Sequence, residues 1–363
     1  MHTTYSVCDH FETFPGERRL TRCVCVRCGA ALSVPLARVA LPPHARAAWG
    51  NGAHGLPVAM AAGTYAVDPL PSGPPWRTWR EAGAEEGARR GVYAPVEALS
   101  YGSPGHLVLA PGDVRGTAFL PGRHGGSCCG IDGSRGPNLG CAACGLPVGA
   151  RVDDCSVWQV VRFAPEAVRS VTAPGVGDAP TEWDRPLFTR EENGLAWRAR
   201  VEVGLGDALA HVLAASGGAP LALPPGPVTD SLGPVLAALL PAPPPTRTLA
   251  LAGPGLPVPD ADVVLVPSHE VTGELWPTTA TGTLVPLDEP AWRYLVRPRP
   301  PLRAPARGRF LPEAPERSPR SYAFFPPEPC RFTLRTALTR LPAVREPWLR
   351  SVHEKPRGPW ETY

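Results

Sequence analysis

The spacing of apolar residues changes character along the chain. Up to about residue 175 it favours short strands. Residues 18–24 and 30–36 read as two strands joined by a CVRC turn. Residues 63–69 (GTYAVDP) make a strand that ends at a proline, and 107–110 and 116–120 make two strands around a Pro-Gly-Asp turn. HARAAW, from His44, reads as a short helix, and the rest of 41–125 is irregular with a β leaning. Residues 157–163 (VWQVVRF) read as a further strand. Pro165 and the run APGVGDAP then break the chain and place a boundary near 175.

Beyond that boundary the period lengthens. Leu195, Trp197, Ala199, Val201 and Val203 alternate with Arg198, Arg200 and Glu202, as in a half-exposed strand. Leu205, Leu209, Val212 and Leu213 follow helical spacing up to Gly217 and Gly218. A short strand at 221–223 precedes an apolar helix stripe, Leu232, Val235, Leu236, Leu239 and Leu240, closed by Pro241 and capped by Thr229 or Ser231. Strands at 248–252 and 263–266 follow. The order β-α-β-α-β-β predicts a small α/β layer. A helix near Phe332 is expected in the Pro/Arg-rich remainder. The fold class expected is α+β.

Ten cysteines add chemistry to this outline. Four lie between Cys8 and Cys28 and five between Cys128 and Cys155. Cys25 and Cys28 form one CxxC pair, followed by Gly29, and Cys141 and Cys144 form another, followed by Gly145. Two thiolates at this spacing point at one ion from a tight turn, and the glycine allows positive φ behind them. A tetrahedral ion needs four ligands. The nearest candidates for the first pair are Cys8 and His10, with Cys23 as a substitute. Those for the second are Cys155 and either Cys128 or Cys129, with Cys129 preferred because Gly130 follows it.

These residues resemble the knuckles of zinc-ribbon proteins at 8–29 and 128–155. The resemblance implies a short hairpin and a closed structural zinc at each place, hence two zinc ions, and implies no shared activity. The expected organisation is a zinc-ribbon-like hairpin at 1–36 and a β-rich domain with the second site at 37–175. A small α/β domain at 176–290 and a basic Pro/Arg-rich segment at 291–363 complete it. The N-terminus MHTTYSVCDHF has neither a charged n-region nor an apolar h-region, so a cytoplasmic location is expected, where paired CxxC motifs hold metal rather than form disulfides.

Composition removes several activities. Lysine occurs once, at Lys355, among 36 Lys and Arg residues. A Walker A loop, a kinase strand lysine and a pyridoxal Schiff base therefore have no candidate. The loop LAGPGLP lacks G-x-G-x-x-G, YGSPG is not G-x-S-x-G, and SHEVTGE lacks H-E-x-x-H. His211 reads as a helix-side histidine, Asp132, Asp153 and Asp154 as turn residues, and Cys330 as an inert thiol. No catalytic residue is assigned. The net charge of +3 hides an excess of about +9 by count over 291–363. A non-enzymatic binding or scaffold protein with a protein partner is the expected function. The alternatives are an enzyme with its site in the α/β domain near Gly253, and nucleic-acid binding through the zinc hairpins (Arg27) and the basic arm at 293–309. No stretch reads as a membrane span.

Overall fold

The computed structural model describes residues 19–46, 55–123, 125, 130–155, 157–176, 183, 194–242, 244–297 and 326–355. Fifteen strands and seven helices lie in these residues. The first half contains β1 (Arg19–Cys25), β2 (Ala37–Arg38), α1 (Pro43–Arg46), β3 (Thr64–Asp68), β4 (Trp76–Thr78), α2 (Trp79–Arg89), β5 (Ala98–Ser100) and β6 (His106–Leu109). It continues with β7 (Thr117–Phe119), β8 (Leu139–Cys141), β9 (Pro147–Val152), β10 (Val160–Phe163) and β11 (Val168–Val176). The second half contains α3 (Gly194–Ser216), β12 (Leu221–Ala222), α4 (Pro227–Leu239), β13 (Arg247–Leu251), β14 (Val263–Ser268), β15 (Thr283–Asp288), α5 (Glu289–Val296), α6 (Arg331–Arg340) and α7 (Pro347–Glu354). The fold is mixed α and β with several separate sheets.

A seven-stranded sheet of order β2-β3-β6-β10-β9-β8-β7 forms the centre of the first half, antiparallel apart from the β2–β3 pair. Alternation along its strands sorts two apolar layers. Leu107, Leu109, Val161 and Phe163 face a core that includes Cys23, Cys25, Leu32 and Cys141. Val108, Ala66 and Val160 face the opposite core, where Trp158 meets Ala199 of α3 and Val271. One face of the sheet thus carries the cysteines and the other leans on the second half. The two strands expected around the Pro-Gly-Asp turn are β6 and β7, but they are not neighbours. β6 lies inside the sheet and β7 at its edge.

The second half is a parallel sheet of order β12-β13-β14-β15. β15 escapes the sequence pattern because Pro286 sits inside it, which an edge strand tolerates. Residues 195–203 are a correction. They do not form a strand but the first turns of α3, a helix of 23 residues. Of the alternating polar residues that suggested an exposed face, two are buried and Arg198 is partly buried. Arg200 and Glu202 are 3% and 7% exposed, and Arg198 pairs with Glu202 one turn on at 2.8 Å. Ion pairing at i, i+4 and contacts on all sides make this polar stretch compatible with a central helix. The cap of α4 is a second correction. Gly226 occupies it, and the Thr229 hydroxyl donates to the Pro224 carbonyl instead. The helix expected near Phe332 is α6, which packs on α3. Among the described residues, no helix is long and apolar enough to cross a membrane.

The seat of α6 is built on a glycine. The Cys330 amide donates to the Glu202 carbonyl at 2.7 Å, and a Cβ on Gly206 would lie 2.4 Å from the Cys330 carbonyl oxygen. Gly206→Ala is expected to push the start of α6 off α3 and to lower stability by about 2 kcal/mol, read as an earlier midpoint in urea unfolding.

Candidate metal centre and the cleft beside it

The two CxxC turns are near copies of one another. The Cys25 amide donates to the Ala30 carbonyl at 2.9 Å and the Gly29 amide to the Cys25 carbonyl at 2.9 Å. In the second turn the Cys141 amide donates to Leu146 at 2.8 Å and the Gly145 amide to Cys141 at 2.8 Å. Gly29 and Gly145 take φ of 75° and 72°, the conformation that tightens each knuckle.

The structure brings these two knuckles to one place. The sulfurs of Cys25, Cys28, Cys141 and Cys144 all lie within 4.8 Å of one another. Cys25 Sγ is 3.6 Å from Cys144 Sγ, and Cys28 Sγ is 3.6 Å from Cys141 Sγ, across 119 and 113 residues of chain. A tetrahedral ion with bonds of about 2.3 Å to sulfur holds its ligands about 3.8 Å apart. The cluster is therefore compatible with one metal ion bound by four thiolates. This corrects the assignment of each pair to its own site with its own partners. Spacing shows that two thiolates share an ion, and it carries no information on whether two such pairs share it. The Cys155 thiol is not in the cluster. Cys8, His10, Cys128 and Cys129 lie outside the described residues. Cys23 is fully buried in the core, its amide donates to the Ser33 hydroxyl at 3.0 Å, and burial pushes its thiol up, with Ser33 opposing. It is a core residue.

A single run of chain joins the knuckles. Val114 bridges Ser33 on the return side of the first knuckle, and the Arg115 amide donates to the Leu32 carbonyl at 2.8 Å. Three residues later Thr117 pairs with Cys141, and the Ala142 amide donates to the Gly116 carbonyl at 2.9 Å. Gly116 is the crossing point, with φ of 56°, and a Cβ there would lie 2.5 Å from the Ala31 carbonyl oxygen. The buried Asn138 ties β8 to β9 by exchanging two hydrogen bonds of 2.8 Å with the Arg151 backbone. On the outside, Arg27 Nη1 donates to the Cys144 carbonyl at 3.4 Å.

The thiols differ in pKa. Burial raises that of Cys25, but the Cys28 and Arg27 amides and the Cys144 and Cys28 thiols outweigh it and hold it at about 7. The Ala30 amide lowers that of Cys28, while burial and the thiols of Cys144, Cys141 and Cys25 push it up to about 12. Four sulfurs this close cannot all ionise unless a cation compensates them.

A cleft of about 860 Å³ opens between the other face of the large sheet and the helices α3 and α6. Asp68 and Arg162, both on its sheet wall, form an ion pair of 2.7 Å, and Arg162 Nη2 donates to the Ala45 carbonyl at 2.6 Å. Asp207 and His211, one turn apart on α3, line it as well. Burial pushes the Asp207 carboxyl up, opposed by His211 and Arg46. Behind it Asp288, at the end of β15, is raised to about 7 by burial and by the carboxylates of Asp207 and Glu289. His211 thus lines a cavity, where sequence reading placed only a helix side. Nothing in its local spacing announces this, because the opposite wall comes from residues at least 45 positions away along the chain.

No family model, no curated protein and no solved structure matches this chain.

Metal uptake must expel the protons held by Cys28 and its neighbours. Zinc affinity is therefore expected to rise with pH, about tenfold per unit for each proton displaced, and to fall below neutral as Cys25 also protonates; chelator competition at several pH values measures this. Gly116→Ala is expected to pull the knuckles apart. Zinc affinity should drop at least tenfold while a glycine swap at the open tip, Gly29→Asn, has a smaller effect in the same competition.

Proposed function

We propose that Cys25, Cys28, Cys141 and Cys144 hold one structural zinc ion, in a ribbon of two knuckles, and that the protein is a non-enzymatic binding protein stapled by it. The observation that carries this is the closed donor set. Four thiolates occupy every position of a tetrahedron, so no position remains for a substrate or an activated water. All-sulfur donors at this geometry suit zinc, whereas magnesium and calcium take oxygen ligands. The staple joins segments that are distant in sequence, and this supports a role in fixing the β-rich half as a rigid platform for a partner. A protein partner is the occupant favoured. Arg27 is engaged with the opposite knuckle, which lessens its value as a nucleic-acid contact. Arg293, from the basic segment, is likewise paired with Glu289.

Elemental analysis and native mass spectrometry of reductively purified protein are expected to find zinc that Cys28→Ser together with Cys144→Ser removes. Chelation is expected to melt the β-rich half, read by circular dichroism. Zinc-free protein that is as stable as zinc-loaded protein would exclude a structural role. A further equivalent that survives the double substitution would direct attention to Cys8, His10, Cys128 and Cys129.

A further inference from the structure

The cleft between the halves continues into a second cavity of about 1070 Å³ on the other side of α6. Trp76 and Arg340 line both, so they form the neck between them. Trp76 is 48% exposed, and its ring is held in place because Nε1 donates to the Ser134 carbonyl at 3.2 Å. A fixed, exposed indole at a cavity mouth is a ready stacking surface. Arg340 donates only to carbonyls, those of Arg90 and Gly91 through Nη1 at 3.0 and 3.5 Å. Its guanidinium keeps its charge and its other donors uncommitted.

Two more guanidiniums flank the neck. Arg46, from the end of α1, lines the first cavity and Arg335, five residues before Arg340 on α6, lines the second. Among the described residues none of these three has a carboxylate within ion-pair distance. Helix α6 contributes no acidic residue to either wall. The acids of the cleft are otherwise placed. Asp68 is held by Arg162, and Asp132 accepts the Ser134 amide at 2.9 Å. Glu166 and Glu97 are exposed on the outer walls. Asp207 lies on the α3 wall, where burial favours its neutral form.

Guanidiniums with no carboxylate in ion-pair distance, beside a flat ring, match one ligand chemistry. A phosphate monoester offers a double charge and three acceptor oxygens, enough for more than one guanidinium. A heteroaromatic ring offers a face to Trp76. The first cavity falls within the roughly 300–1,000 Å³ of small-molecule sites, which favours a single nucleotide over a polymer. We propose that the neck between the two cavities binds a mononucleotide, its base stacked on Trp76 and its phosphate on Arg340, with Arg46 and Arg335 adding charge from either side. The neck shares no residue with the four-cysteine cluster.

Isothermal titration of zinc-loaded full-length protein with AMP, adenosine and inorganic phosphate tests this. Saturable binding of AMP is expected, with adenosine and phosphate each weaker. Trp76→Ala and Arg340→Gln are each expected to weaken AMP about tenfold or more. Arg340 also ties down the Arg90 turn, so Arg335→Gln, at an exposed position, serves as a second charge variant, expected to weaken AMP and leave adenosine unchanged. No saturable AMP binding would overturn the assignment. So would equal affinity in Trp76→Ala and wild type, or binding of an oligonucleotide when AMP is silent. Zinc content, measured on the same samples, reports on the staple alone, so a zinc-free protein that binds AMP would refute the staple and leave the neck intact.

Discussion

Four thiols held within bonding range of a single point are the constraint on which the first half of the molecule depends. Bringing them together without a cation leaves protons crowded on neighbouring sulfurs, as the opposed acidities of Cys25 and Cys28 record. A divalent ion removes that conflict and converts it into attraction. The burial of Cys25 and Cys141 among Leu32, Leu139 and Phe163 ties this electrostatic requirement to the packing of the large sheet. Loss of the centre would therefore act on the hydrophobic layer as well as on the knuckles.

The run from Val114 to Thr117 transmits this constraint. It bonds to the return side of one knuckle and then to the strand that enters the other. Because Gly116 turns the chain directly against the Ala31 carbonyl, backbone contacts hold the two knuckles side by side. The opposite face of the same sheet builds the cleft with α3 and α6. The proposed staple and the proposed ligand site thus lie on two sides of one rigid layer.

Much of the local structure was legible. The CxxC-Gly spacing marked both knuckles, and the strands β3, β6, β10, β13 and β14 followed from short apolar runs between turn residues. Helix α4 followed from its leucine stripe. The reading failed at 195–203, because Arg200 and Glu202 are buried and Arg198 is partly buried against Glu202, and polar side chains neutralised in this way mimic an exposed face. It missed β15 because a proline is read as a strand breaker, and only the edge position of that strand makes Pro286 harmless.

Sequence alone determined which residues could form a knuckle, since a thiolate pair and a glycine with positive φ are requirements of a few adjacent residues. It also determined that a Walker A loop, a kinase strand lysine and a pyridoxal Schiff base have no candidate residue, since Lys355 is the one lysine of the sequence. Tertiary structure decided that the two pairs converge on one point, across more than a hundred residues, and which cysteines stay out of it. Tertiary structure also decided that Trp76, Arg46 and Arg340 meet at one cleft. Convergence of this kind depends on strand order and register, and those are settled by how whole layers pack and not by the spacing of residues along the chain.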